Sequence, residues 1–335
     1  MNLEFHYYAV HFLASRAGFS EDEARTLATA SQYVDDAIVE YEVESGDETY
    51  RGITTQNYAF WDESISGSVY IPFHFLPGDV ARSSSARRDG AHNRFIVTPD
   101  SEFAKAVLVG ALRTRDLFRI GVALHGYADT WAHQNFTGRL EEANALEQGS
   151  RLPPAGHLQA LRSPDQALGL WRDDRLRPEF AHVDNRERFL AAARKIYRYL
   201  KTYRREAFDD EAFVIPELEE LWRRDARDMD ARITDFRIAL GIEAYDRRTW
   251  AEEAGIVETK DDPAEAEDER SSGFDKFLWL KSELDRRIRG GSGSRRVVSN
   301  TRFPGSSLHR WYEAAAAHRA SVAKLLAENG LAGRE

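Results

Sequence analysis

A chain of 335 residues with 42% hydrophobic and 30% charged residues has the composition of a folded globular protein, not a disordered one. Its formal net charge of −10 argues against an extended nucleic-acid surface, although a small nucleotide stays open because a metal can supply local positive charge. The absence of cysteine excludes thiolate ligands, disulfides and a cysteine nucleophile, so any metal must rest on His, Asp and Glu.

Helical patterns dominate the chain. The first run spans Phe5 to Ala17 and ends at Gly18. Ser20-Glu21-Asp22-Glu23 is a capping box for a second helix that reaches Tyr33-Val34-Asp35-Asp36. Residues 42–99 are mixed in polarity and read as long loops with one or two short strands. Asp100-Ser101 caps a helix through Leu112, and a further helix carries LHGYADTWAHQNFTG, residues 124–138. After an irregular, proline-containing stretch over 139–184, Asp184 caps NRERFLAAARKIYRYLKTY and Pro216 opens ELEELWRRDARDMDARITDFRIAL. The acidic segment 252–272 and RGGSGSRR read as flexible connections on either side of the helix FDKFLWLKSELDRRI. Ser306 to Asn329 forms a last, alanine-rich helix that Trp311 and Tyr312 dock.

The expected architecture is therefore all-α, a multi-helix single domain with long loops rather than an alternating βα pattern. Residues 1–250 form its metal-binding core, 251–300 a polar, partly flexible segment with one helix, and 301–335 a helix packing back on the core. The N-terminus lacks a basic n-region and a cleavage pattern, and no apolar run reaches the roughly 20 residues of a membrane span. Cytoplasmic residence is expected, and the oligomeric state is left open.

The strongest chemical signal is His125, Asp129 and His133, spaced by four. Steps of four on a helix drift by only about 40°, so the three donors share one stripe. Three ionisable groups on a buried stripe are costly unless something pairs them, and a divalent ion does so at once, whereas a buried polar network is the plainer alternative. His6 in FHYY, His74 in PFHFLPG and His157 after Pro153-Pro154-Ala155-Gly156 lie beside apolar or turn residues and complete the candidate set. His11 reads as core and His92 as solvated, while His309 and His318 read as surface. Asp35 and Asp36 end a helix, where carboxylates face an unfavourable dipole and call for a local cation. Being about 100° apart, they cannot both face one site, so one binds while the other supports it or serves as a base.

Taken together, FHYY, SQYVDD, PFHFLPG and LHGYADTWAHQNFTG resemble an uncharacterised bacterial family, and through it a distant branch of the zinc-dependent phospholipase C and single-strand nuclease superfamily. The resemblance implies an all-α fold, a cluster of up to three zinc ions and hydrolysis of phosphoesters by activated water. It carries His6 onto the first ligand, Asp35 or Asp36 onto the early carboxylate, His74 onto the loop histidine, His125 and Asp129 onto the central helix motif with Asp129 as bridge, and His157 onto the later histidine. Three departures stand out. The superfamily uses the amine of an N-terminal Trp, whereas this chain begins Met1-Asn2; the histidine expected at position 135 is Asn, with His133 two residues early; and Leu161 stands where a Glu is expected, with Asp165 farther along. These point to one or two ions, zinc first and Mn or Fe as alternatives.

The expected function is a metal-dependent hydrolase acting on a small-molecule or lipid phosphoester, with Asp35 or Asp36 as general base and Tyr7, Tyr8 and Trp131 as candidate pocket walls. An HD-type phosphohydrolase is the second reading, disfavoured because the chain has no adjacent His-Asp pair. The third is a non-catalytic, metal-stabilised scaffold or interaction protein.

Overall fold

The computed structural model describes residues 1–38, 40–57, 62–146, 150–224, 228–256, 294–298 and 302–331. Most of them are helical. A π-helical turn, Glu4–Ala9, runs without a break into α1 (Val10–Arg16). Helix α2 (Glu21–Asp36) begins with the expected capping box, in which the Ser20 amide donates to Glu23 and the Glu23 amide to Ser20. Ser101 caps α3 (Glu102–Thr114) and Asp116 caps α4 (Leu117–Ala132). Asp184 caps α5 (Asn185–Arg204), which is followed by α6 (Glu211–Arg223), α7 (Met229–Leu240) and the C-terminal α8 (Ser307–Glu328).

Helix α4 is the axis of the molecule. Every residue from Phe118 to Ala132 is buried, and α2, α3, α5 and α8 pack around it. Such a helix must be apolar on all sides or have its polar groups paired. Two glycines let its neighbours come close. A Cβ on Gly121 would lie 2.6 Å from the Ala30 Cβ and 2.6 Å from the Leu27 carbonyl oxygen, so α2 packs on bare backbone there. A Cβ on Gly126 would lie 2.9 Å from the carbonyl oxygen of Phe73. Both approaches draw the ends of other segments, Asp35 on one and His74 on the other, toward α4.

The main core holds Phe5, Tyr8, Phe12, Tyr127, Phe189, Tyr197 and Trp222. A second cluster forms where α8 docks, with Tyr33, Phe73, Phe118, Phe303 and Trp311, each large apolar side chain contributing about 1.5–3 kcal/mol by burial. The Trp311 indole donates to Ala30 O at 3.0 Å and His318, fully buried, lies 2.9 Å from Pro72 O through Nε2. His318 is thus a core residue and not the surface group expected, because the helix turns that face onto Phe73.

Several local expectations change. Residues 42–99 hold, besides the hairpin of β1 (Glu40–Ser45) and β2 (Glu48–Arg51), the short helical pieces Glu63–Ile65, Ser66–Tyr70, Ile71–Phe73 and Val80–Ala86. The second of these, like Glu4–Ala9, is a π-helical turn, a form that recurs at functional sites. In the irregular stretch, β3 (Leu170–Arg172) pairs antiparallel with β4 (His182–Asp184). The strand β5 (Ser294–Val298) joins β1 in parallel, giving the order β2-β1-β5. Pro216 sits inside α6 rather than opening a helix, and the long run after it is two helices, the second capped by Asp228. The expected helix FDKFLWLKSELDRRI lies outside the described residues, as do most of its flanking segments. No helix among the described residues is long and apolar enough to cross a membrane.

The tight α2–α4 contact gives a paired test. Gly121→Val should destabilise the protein by about 1–3 kcal/mol through overpacking, whereas Gly110→Ala, with open space around it, should be neutral or stabilising by up to about 1 kcal/mol. Urea unfolding with equal midpoints for wild type and Gly121→Val would contradict the packing.

Candidate metal centre

Three groups of three side chains offer ligand atoms that lie within 4.8 Å of one another: His6, His125 and Asp129; Asp35, His74 and His125; and His133, His157 and Asp165. They line, or lie directly behind, one cleft of about 250 Å³ whose walls include Asp35, His74, Asp129, His133, His157 and Asp165.

The ligands are delivered by several separate pieces of backbone. His6 lies in the first π-helical turn, and that turn is anchored by a buried ion pair in which Arg232 donates to Glu4 through Nε at 2.6 Å and Nη2 at 2.8 Å. His125 and Asp129 lie one turn apart on α4. His133 is the residue at which α4 ends, with φ −87° and ψ 20°. It therefore leaves the helical stripe and turns toward His157 and Asp165, its Nε2 3.3 Å from Asp165 Oδ1. His157 and Asp165 come from a loop built of two short 3₁₀ turns, Leu158–Ala160 and Ser163–Asp165.

The hydrogen bonds settle which ring nitrogens face inward. His125 donates Nδ1–H to Ser31 O at 2.9 Å, and His74 donates Nε2–H to Thr55 O at 2.8 Å. His133 donates Nδ1–H to His74 O and His157 donates Nδ1–H to Leu161 O, both at 2.9 Å. A carbonyl only accepts, so each ring directs that N–H outward and turns its other nitrogen toward the cluster. This is the outer support typical of metal-ligating histidines. His125 Nε2 and His74 Nδ1 then face each other at 3.1 Å, with Asp129 Oδ2 3.3 Å from both. Asp35 Oδ1 lies 3.6 Å from the first and 3.9 Å from the second. Two ring nitrogens and two carboxylates thus converge on one point.

Burial raises the cost of crowding these groups together. His6 and His125 are fully buried, and desolvation holds His125 well below the usual histidine range. His6 falls to about 4, through burial and then the ammonium of Met1, against the pull of Asp129. Its Nδ1 has no hydrogen-bond partner among the described residues. Burial alone would raise Asp129, but His133, the Met1 ammonium, His125 and His6 hold it well below the carboxylate range. Asp165 is held low in the same way by His157, the ammonium and His133. The α-amine of Met1 donates to Asp129 and lies 3.3 Å from Asp165. Burial pushes that amine down, yet Asp129, Asp165 and Asp35 raise it to about 10.

The donor set fits a divalent ion. Ligands at about 2.0–2.1 Å in a tetrahedron lie about 3.3 Å apart; six of the pairs here are 3.1 to 3.9 Å apart, and all ligand atoms within a group lie within 4.8 Å. Nitrogen and oxygen donors without sulfur suit zinc, and also Mn or Fe.

Of the residues singled out in the sequence, His6, Asp35, His74, His125, Asp129, His133 and His157 all belong to one or another group. Asp36 does not: it accepts a hydrogen bond from Tyr245 at 2.5 Å, on the side of α2 turned away from the cluster. Tyr7, Tyr8 and Trp131 are core aromatics and do not line the cleft. Asp165 joins the third group although the sequence marked it only as a carboxylate beyond His157; nothing local signalled it, because two tight turns bring it back.

A family described as "Family of unknown function (DUF6765)" matches residues 1–326. The chain belongs to this DUF6765 family. No curated protein and no solved structure matches it. Every member of the three groups falls within the stretch that defines the DUF6765 match.

A pH dependence arises from the buried rings. His6 titrates at about 4 in the folded chain against an ordinary 6.5, so below 6.5 the unfolded chain takes up the proton first. The neutral rings of His6 and His125 favour the fold fully above pH 6.5, and that advantage is lost as pH falls toward 4. The thermal midpoint of chelator-treated protein should drop across this window, less steeply for His6→Gln; a constant midpoint there would contradict neutral buried imidazoles.

Proposed function

We propose that this protein is a metal-dependent hydrolase that cleaves phosphoester bonds by activated water, distantly related to the zinc-dependent phospholipase C and single-strand nuclease superfamily. One observation carries the reading: the inward nitrogens of His74 and His125 meet 3.1 Å apart beside Asp35 and Asp129, a set of nitrogen and oxygen donors that one divalent ion would bind together.

The residues divide between two ions. Asp35, His74 and His125 would hold one, and His133, His157 and Asp165 the other, since these two groups share no ligand. His125 has a single free lone pair, so it cannot complete the group with His6 at the same time. Asp129 Oδ2 lies 3.3 Å from the inward nitrogens of both His74 and His125, and the superfamily resemblance would make Asp129 the carboxylate shared between the ions. The bound ions would supply Lewis acidity, lowering the pKa of water toward neutrality and offsetting charge on the phosphoryl oxygens. Asp35, partly exposed on the cleft wall, would hold the ion through one carboxylate oxygen and could accept a proton through the other, whereas Asp36 is tied to Tyr245.

The cleft also weighs between the alternatives. A structural metal site is closed, whereas a catalytic one keeps an open side, and six of the grouped residues border open space. This favours an enzyme over a metal-stabilised scaffold. The HD-type reading lacks its adjacent His-Asp pair.

Elemental analysis of purified protein should give at least two equivalents of divalent metal per chain, with hydrolysis of p-nitrophenyl phosphate or its bis-ester. Asp129→Ala should lose metal and lower activity by about 100-fold or more; unchanged metal content would count strongly against the assignment. Asp35→Asn should reduce turnover about as severely, while Asp36→Asn should leave metal content intact and cost only stability. Metal kept by Asp35→Asn and lost by Asp36→Asn would reverse the roles given to the pair.

A further inference from the structure

The loop that carries His157 and Asp165 is held in an unusual shape. Leu161, a non-glycine residue, has φ 54° and ψ −125°, a conformation that costs about 1–3 kcal/mol and persists only where its surroundings enforce it. That turn points the Leu161 carbonyl at His157 Nδ1 and leaves the leucine side chain 56% exposed. The loop is pinned from below by Asn185 at the start of α5, whose side-chain amide donates to Ser163 O at 2.6 Å and Gln166 O at 2.8 Å. Asp165 N donates to Arg162 O at 3.0 Å, closing the second turn directly behind Arg162.

Arg162 therefore stands on a fixed frame between two grouped residues, and it lines the same cleft. Among the described lining residues it is the sole lysine or arginine. Other buried arginines are committed to ion pairs, Arg232 with Glu4, Arg175 with Asp173 and Arg87 with Asp89. The Arg162 side chain makes no ion pair or hydrogen bond among the described residues, while the cleft holds three carboxylates and the chain as a whole is acidic. A guanidinium presents a planar fork of donors that matches two phosphate oxygens at once.

We propose that Arg162 is the anion-recognition residue of the cleft, its guanidinium binding the non-bridging oxygens of a phosphate group seated over His133, His157 and Asp165. This rests on the phosphoester reading above. It assigns a substrate whose phosphate is exposed and anionic, gripped from the rim by the protein as well as from the floor.

The test uses inorganic phosphate as probe, titrated calorimetrically into the metal-loaded full chain. Arg162→Gln should weaken phosphate binding about 10-fold or more, with metal content and thermal midpoint unchanged, and Arg162→Lys should recover part of the loss by charge alone. The KM for p-nitrophenyl phosphate should rise in parallel. Phosphate binding by Arg162→Gln as tight as wild type overturns the role of Arg162 and leaves the hydrolase reading standing. A metal-loaded wild type that binds no phosphate overturns both.

Discussion

The carboxylate of Asp129 sits at the centre of a helical bundle, on a helix buried on every side, and remains ionised there. Taking a carboxylate out of water costs several kcal/mol unless charge and hydrogen bonds replace the lost hydration. The α-amine of Met1 donates to Asp129, and His6, His125 and His133 crowd its two oxygens from three other directions. Much of the architecture serves to bring those groups within reach. Helix α2 must approach α4 closely enough to carry Asp35 in, and Gly121 permits it; the segment before His74 must cross α4, and Gly126 permits that.

Backbone irregularity gathers around the same centre. One π-helical turn holds His6, and another precedes His74 by a few residues. Left-handed backbone at Asn135 and Leu161 comes shortly after His133 and His157. Each of these forms is less favourable than regular helix or turn and needs tertiary support. Their common effect is to aim a side chain inward, or a carbonyl at an imidazole, where a regular element would not. Four carbonyls from four segments fix four rings, so the inward lone pairs result from backbone placement as much as from the histidines themselves.

Much of the helical frame was legible in the chain. Ser20 with Glu23, Ser101, Asp184 and Ser306 stand at the helix starts they cap, because a short polar side chain before an apolar period has few other uses. The short helical pieces between residues 63 and 86 were not, since Gly, Ser and Pro there carry turn signals and runs of three to seven residues show no periodicity. His125 and Asp129 were readable as a pair because both lie within one helix. His133, at the same spacing, was not readable as part of another group, because tertiary contacts at the end of α4 decide where the helix stops and which way its last side chain turns.

The chain by itself therefore determined the helical class, the donors on offer, the exclusion of sulfur chemistry and the His125–Asp129 face of α4, all of which depend on residue type and spacings of a few positions. Tertiary structure alone decided that Asp35 rather than Asp36 turns inward, that Asp165 joins His133 and His157, and that Ser31, Thr55, His74 and Leu161 supply the carbonyls that orient the rings. Those choices join residues far apart in sequence through α2, α4 and two loops. Local propensity carries no record of such distances, and only the packing of those elements around one buried carboxylate sets them.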